Sequence, residues 1–374
     1  MNHTIKTFVL ALLSGAVAWP CWGAMTSPDG KVTVALSIAD GRLVYSIKHG
    51  STEVLRPSAL GVTIDGVDFG RATVLGEPVA TRIDDSYPWR GVKSTAVNRC
   101  NAYAIPVTSG ATAWRLEFRV FDDGAAWRAI VPGEGGRTVT GEASNWLLPA
   151  GSKVWYHSRA GSYEGIHECR ELDEIEERTI LLMPVTVELP GGGLHLAITE
   201  AGEFTYSGMS LEKAAGGRLR GVFRNDPNGW RIEGEIRTPW RVTMVGDLDA
   251  LVNCDIVHNL CPPPDERLFP QGILTPWIEP GRCLWQWWAY SDPGTQWRNQ
   301  KRFVDMAAML NCRYYLVDAG WENKDFGWMD NGRDSWAKLR ELCDYAATRG
   351  VGIFVWRGRG DTPKSLFSHP ASTR

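Results

Sequence analysis

With 374 residues, 40 basic side chains against 43 acidic ones and a formal net charge of −3, the chain is long enough for about two or three domains with cores of their own. No basic block runs along it, so the electrostatic footprint of a nucleic-acid partner is absent. A hydrophobic fraction of 44% with 22% charged residues, and Gly 40 with Pro 21, excludes a disordered, low-complexity or collagen-like chain.

Residues 1–24 read as a secretory signal peptide. Lys6 supplies the positive start, Phe8 to Ala18 form an apolar run, and Ala16, Ala18, Gly23 and Ala24 are the small residues a cleavage point wants. Pro20 before Cys21 stands where lipidation requires a small residue, so no lipid anchor is expected. The run is too short to cross a bilayer and no later stretch is long enough. The mature chain is therefore expected to be secreted, periplasmic in a bacterium, with no membrane contact after cleavage.

From 25 to 262 short β-type runs are separated by turn residues, among them Val32 to Ile38, Leu43 to Ile47, Trp114 to Phe121 and Ala126 to Val131, the last two joined across Asp122, Asp123 and Gly124. Trp114, Leu116, Phe118 and Val120 alternate with Arg115, Glu117 and Arg119, which sets one face inward. Many strands without intervening helices predict a large sandwich of antiparallel sheets. A Pro-rich linker follows over 263–280, with Pro263, Pro264, Pro270, Pro276 and Pro280. The acidic stretch from Glu164 to Glu177 lacks the spacing of a calcium loop and reads as solvated; Tyr163 and Glu164 are candidates for a cleft wall.

Over 281–356 the pattern becomes strand, helix, strand, helix, strand. Leu284 to Trp288, Tyr314 to Val317 and Val351 to Trp356 are the strands. Phe303, Val304, Met306, Ala307 and Leu310 mark the first helix; Trp336, Leu339, Leu342 and Ala346 mark the second, opened by Asp334 or Ser335 and stopped by Gly350. This is the signature of a parallel sheet with crossover helices. A closed (β/α)₈ barrel takes about 250 residues, so an incomplete barrel is expected here. Residues 357–374 lose the periodicity and read as an atypical tail. The fold class expected is multidomain β plus α/β: an antiparallel β super-sandwich followed by the first strands of a barrel.

The eight cysteines, at irregular spacing and without a CxxC pair, form neither a zinc framework nor a disulfide scaffold. Cys283, Cys312 and Cys343 lie in apolar contexts and read as small buried hydrophobes. The histidines show no HExxH, and no GxSxG or GxGxxG stands in its structural context, which removes zinc peptidase, esterase and dinucleotide readings. Trp 18 is several times the ordinary share. Indole faces pack on the C–H faces of sugar rings, although most tryptophans serve as core.

The segments SPDGKV at 27–32, FRVFDDGAAWR at 118–128, ITEAGEFTYSGM at 198–209, TPWRVTMVGD at 238–247, IEPGRCLWQWW at 278–288, YYLVDAGW at 314–321 and GVGIFVW at 350–356 together resemble glycoside hydrolase family 97. The resemblance runs from the first of these motifs to Trp356. It implies a secreted enzyme hydrolysing α-glucosidic or α-galactosidic bonds in oligosaccharides, with calcium at the active site. The rival expectation is a carbohydrate-binding sandwich without catalysis, or a decayed remnant.

Glycoside hydrolysis needs two carboxyl groups about 5 to 5.5 Å apart for retention, or about 6.5 to 9.5 Å for inversion. The resemblance assigns both to barrel strands later than the third, so no catalytic residue is expected in this chain, Asp318 included. It points to Glu200, in ITEAGEF, as the sandwich's calcium ligand; one carboxylate serves a cation wanting six to eight oxygens poorly, so weak or no calcium retention is expected. Barrel sites sit at the carboxyl ends of strands. Trp287 and Trp288 after the first strand, and Asp318, Trp321 and Glu322 after the second, are therefore the expected sugar-binding residues, with interior packing the stronger reading for Trp285 and Trp287.

Overall fold

The structure is a computed structural model that describes residues 23–158, 165–330, 332 and 334–357. Nearly all of the signal segment, Tyr163, Glu164 and the tail beyond residue 357 lie outside the described residues. The chain divides into two compact units, Met1–Ile273 and Leu274–Arg374, so the division falls within the Pro-rich segment.

The first unit is built from antiparallel sheets. One layer runs Val32–Ala39, Arg42–His49, Thr52–Ala59 in sequential hairpins. The larger layer runs Val79–Pro88, Thr95–Ser109, Thr112–Phe121, Gly124–Val131, Trp240–Gly246, His195–Ala201, Ile180–Glu188, Lys153–His157, each paired with the next. Their inner faces share one hydrophobic core. Val34, Leu36, Leu43 and Ile47 from the smaller layer meet Leu116, Phe118, Val120, Trp127, Ala129 and Val131 from the larger. Tyr45 marks the meeting, its ring 6.3 Å from Phe118 and 6.1 Å from Trp127. The alternation in Trp114, Leu116, Phe118 and Val120 thus has the physical cause its period implies: these four are buried.

The hairpin after Phe121 turns across Asp122 and Asp123, and Gly124 already pairs with Phe121. A Cβ on Gly124 would lie 2.6 Å from the Thr243 carbonyl oxygen, so the strand Trp240–Gly246 can approach only a glycine there. On the outer face of this sheet Cys100, Phe121, Ala126, Trp240 and Val242 form a second apolar cluster with Ile256 and Leu260 of the helix Ile256–Leu260. The acidic stretch is a loop only in part. Glu168–Glu171 pairs with Lys153–His157, and Leu172 and Ile175 anchor it in the core. Two apolar side chains pin the segment to the core, while Asp173, Glu174, Glu176 and Glu177 stay exposed.

In the second unit Cys283–Trp285, Tyr314–Val317 and Gly352–Val355 form a parallel sheet in that order. The helix Trp297–Met309 buries Phe303, Val304 and Ala307, and Ser335–Ala347 buries Leu339, Leu342 and Ala346. The Asp334 carboxylate accepts from the Ala337 N–H at 2.8 Å, capping the second of these. Leu310, expected on the packed face of the first, is its exposed C-cap.

Two expectations are corrected here. The first strand stops at Trp285, and Trp287 opens a helix, Trp287–Thr295, because the Gln286 backbone is already helical and its carbonyl accepts from the N–H groups of Ala289 and Tyr290. Cys283 and Cys343 are exposed and Cys312 half-buried, while Cys100 is the buried thiol. Apolar neighbours in sequence do not set which side of a strand or helix a cysteine occupies. Among the described residues no helix is long and apolar enough to cross a membrane.

Candidate functional site

At the carboxyl ends of the parallel strands, Trp285 donates its indole N–H to Asp318 Oδ2 at 2.5 Å, and the other carboxylate oxygen accepts from the Ala319 N–H at 2.6 Å. Asp318 is buried, yet both oxygens have donors. Trp288 lies beside this pair, its ring 5.6 Å from that of Trp285, and is 78% exposed. An open indole face next to a fixed carboxylate is what a sugar ring with its hydroxyls can use. Trp287 is half-buried. Trp285 is 40% exposed, so the interior role expected for it is corrected: the early end of the strand leaves it at the surface.

Trp321 and Glu322 are placed differently. Trp321 is 1% exposed, packs against Trp328 and Trp336, and donates to the Trp356 carbonyl at 3.1 Å. It is core, because the turn after Val317 folds back over the helix Ser335–Ala347, and its face is not offered to a ligand. Glu322 Oε1 is paired with Arg357 Nη2 at 2.6 Å. The structure thus brings Trp285, Trp288 and Asp318 together and sets Trp321 and Glu322 to a packing and ion-pair role.

Glu200 stands in the first unit on the strand His195–Ala201, opposite Arg241 of Trp240–Gly246. Arg241, Thr243 and Val245 face into the sandwich, Trp240 and Val242 away from it. The Arg241 guanidinium is wholly buried. It donates from Nε to Glu142 Oε2 at 3.0 Å and from Nη2 to Glu142 Oε1 at 2.5 Å, and pairs through Nη1 with Glu200 Oε2. Tyr206 and Ser144 donate to Glu142 at 2.8 and 2.5 Å, and the Met209 N–H reaches Glu200 Oε1 at 3.2 Å. Burial raises the Glu200 carboxyl to about 7, with Arg241 opposing and Glu203 adding to the rise.

This arrangement does not fit a calcium ion. The carboxylate proposed to hold it already accepts from a guanidinium and a backbone N–H, and a second cation beside Arg241 would be repelled. No group of three or more metal-ligating side chains occurs among the described residues. Sequence reasoning missed Arg241 and Glu142. The available signal was an arginine in the inward phase of a strand whose neighbours, Trp240, Val242 and Thr243, are all apolar or small.

A sandwich of antiparallel sheets followed by parallel strands with crossover helices is a fold shared with glycoside hydrolases of solved structure. The sequence profile described as Glycosyl-hydrolase 97 N-terminal matches residues 25–263, and the chain belongs to glycoside hydrolase family 97. It is 28% identical over 400 residues to a probable retaining alpha-galactosidase of Streptomyces bingchenggensis, covering 95% of this chain and 58% of that protein. It is 24% identical to the retaining alpha-galactosidase of Bacteroides thetaiotaomicron, covering 89% and 55%. Among solved structures, a beta-arabinopyranosidase superposes with TM-score 0.76 at 21% identity, covering 90% of this chain and 56% of that one. A family 97 enzyme from Pseudoalteromonas sp. strain K8 in complex with panose gives TM-score 0.75 at 22% identity, covering 88% and 53%. The chain spans a little over half the length of these relatives.

Proposed function

We propose that this chain is the sugar-binding portion of a secreted glycoside hydrolase acting on α-galactosidic or α-glucosidic bonds in oligosaccharides, and that the 374-residue polypeptide binds such sugars without cleaving them. The observation that carries the reading is the exposed Trp288 beside the Trp285–Asp318 hydrogen bond at the carboxyl ends of the parallel strands. The two curated relatives, both named as α-galactosidases, favour the galactoside. Turnover is not expected, since Asp318 accepts from two N–H groups and Glu322 is paired with Arg357, leaving neither poised as a proton donor. The same reading holds that calcium contributes nothing at Glu200 in this polypeptide.

The test is an assay on p-nitrophenyl α-galactoside and α-glucoside with calcium present, beside a calorimetric titration with a galacto-oligosaccharide. Sugar binding that is weakened in Trp288→Ala, with no released nitrophenol, is the expected outcome. Turnover would refute the non-catalytic part, and absence of binding would refute the subsite. A calcium titration reaching micromolar affinity would overturn the fit argued for Glu200.

A further inference from the structure

The outer face of the larger sheet holds a cavity of about 500 Å³ in the first unit, lined by Arg119, Arg128, Arg237, Asn98, Phe204 and Trp240 among others. Its arginines are not equivalent. Arg128 lies over the Trp240 ring at 4.3 Å and is paired with Glu117 at 2.7 Å. Arg237 is paired with Glu235 at 2.8 Å. Arg119 lies 5.9 Å from the same indole and has no carboxylate partner among the described residues. It is half-buried and lines the cavity. Glu117 is engaged by Arg115 at 2.8 Å and by Arg128 at 2.7 Å rather than by Arg119.

Arg115, Arg119, Arg128 and Arg237 thus face two carboxylates, Glu117 and Glu235, and the cluster carries more positive charge than these neutralise. Burial lowers the Arg128 pKa, and Arg237 and Arg119 push it the same way, which is the expected response of a guanidinium crowded by its own kind. The Arg119 fork is met only by the Cys100 thiol, and a planar guanidinium without a carboxylate at the wall of a cavity matches a carboxylate or phosphate group, which it can grip through two parallel bonds. Phe204, 62% exposed at the rim, offers an apolar face, and Asn98 lies half-buried across the wall. Guanidinium, aromatic ring and amide are together the groups that hold the anionic substituent, the C–H face and the hydroxyls of a sugar.

We infer that this cavity is a second ligand site, for a sugar bearing one anionic group, either a uronate carboxylate or a phosphate ester, with Arg119 as the anion receptor. The sugar half of this inference rests on the function proposed above; the anion half stands on the cavity and its guanidinium without a carboxylate.

Calorimetric titration of the full chain with galacturonate, galactose 1-phosphate, galactose, acetate and inorganic phosphate tests it. Galacturonate or galactose 1-phosphate, whichever substituent the fork fits, should bind more tightly than galactose and than the corresponding free anion. Arg119→Ala should weaken that binding roughly tenfold or more, with Arg119→Lys between the two, as loss of a charge-assisted pair implies. Trp288→Ala should leave it unchanged. Equal affinity in wild type and in an Arg119→Ala variant with an unaltered thermal melt would overturn the inference. So would acetate or phosphate binding as tightly as the sugar, or loss of binding in Trp288→Ala. Failure of the proposed subsite reads out separately, as no Trp288-dependent binding of the neutral oligosaccharide.

Discussion

Arg241 shows how much one side chain can decide. Its guanidinium sits wholly buried between two carboxylates, and Glu142 is as deeply buried as the arginine. Removing one member of a buried pair leaves the other charge uncompensated, which costs about 3 to 5 kcal/mol. Arg241→Met should therefore lower the urea midpoint sharply, and Glu142→Gln with Arg241→Met should recover part of the loss. A midpoint unchanged in the single variant would show that the cluster is not a closed ion pair. Glu200 gives a pH dependence of opposite sense to an ordinary surface carboxylate. Its carboxyl ionises near 4.5 when unfolded and near 7 when folded, so in that interval the folded state holds a proton the unfolded state has released. Its contribution is then fully present below the unfolded value and lost as pH rises through the folded one. The melting temperature of the wild type should fall relative to Glu200→Gln between about pH 5 and about pH 8. Parallel curves would disprove the assignment.

The elements of the second unit separate two tryptophans that the sequence treats alike. Both follow an apolar strand, and both stand where a barrel places its ligand contacts. Trp288 falls on a helix turn facing outward, Trp321 on a turn folded into the core. Trp321→Ala should cost about 3 to 5 kcal/mol, the range for emptying a packed aromatic site, measured as the urea-induced loss of helix signal. Trp288→Ala should leave that stability within about 0.5 kcal/mol of wild type, as for an exposed position without special contacts. Capping is the more legible part of these elements. Of the two caps offered by the sequence, Asp334 rather than Ser335 heads the helix, with its carboxylate on the Ala337 N–H, and its replacement by alanine should cost about 1 kcal/mol.

The main hydrophobic core of each unit lies wholly within its own segment. One draws its buried side chains from Met25 to Val245, the other from Phe303 to Val351. A core that size closed within one segment supports folding by itself, so a polypeptide of residues 23–273 should melt as one cooperative unit. A non-cooperative melt of that fragment would contradict the division. The third parallel strand, by contrast, exposes Phe354 and Val355, with Trp356 exposed just beyond its end, and within the described sheet it pairs on one side alone. Apolar side chains on an unpaired strand edge promote association. The full polypeptide should sediment as larger species whose proportion rises with concentration, and Phe354→Lys should shift it toward the monomer.

Local information in the chain determined the β-rich first unit, the change to parallel strands with helices, the helix caps and, through several ordered motifs, the family. These depend on near neighbours: alternation at period two, apolar positions at helical spacing, a turn at Asp122 and Asp123, an aspartate before a helix. The candidate site was legible only as an address, the ends of strands. Which of its residues face a ligand was decided by tertiary structure, since Trp285 turns to Asp318 across 33 positions and Arg241 to Glu142 across 99. A side chain's charge state and exposure depend on what packs against it from distant segments, and no periodicity along the chain records which segments those are.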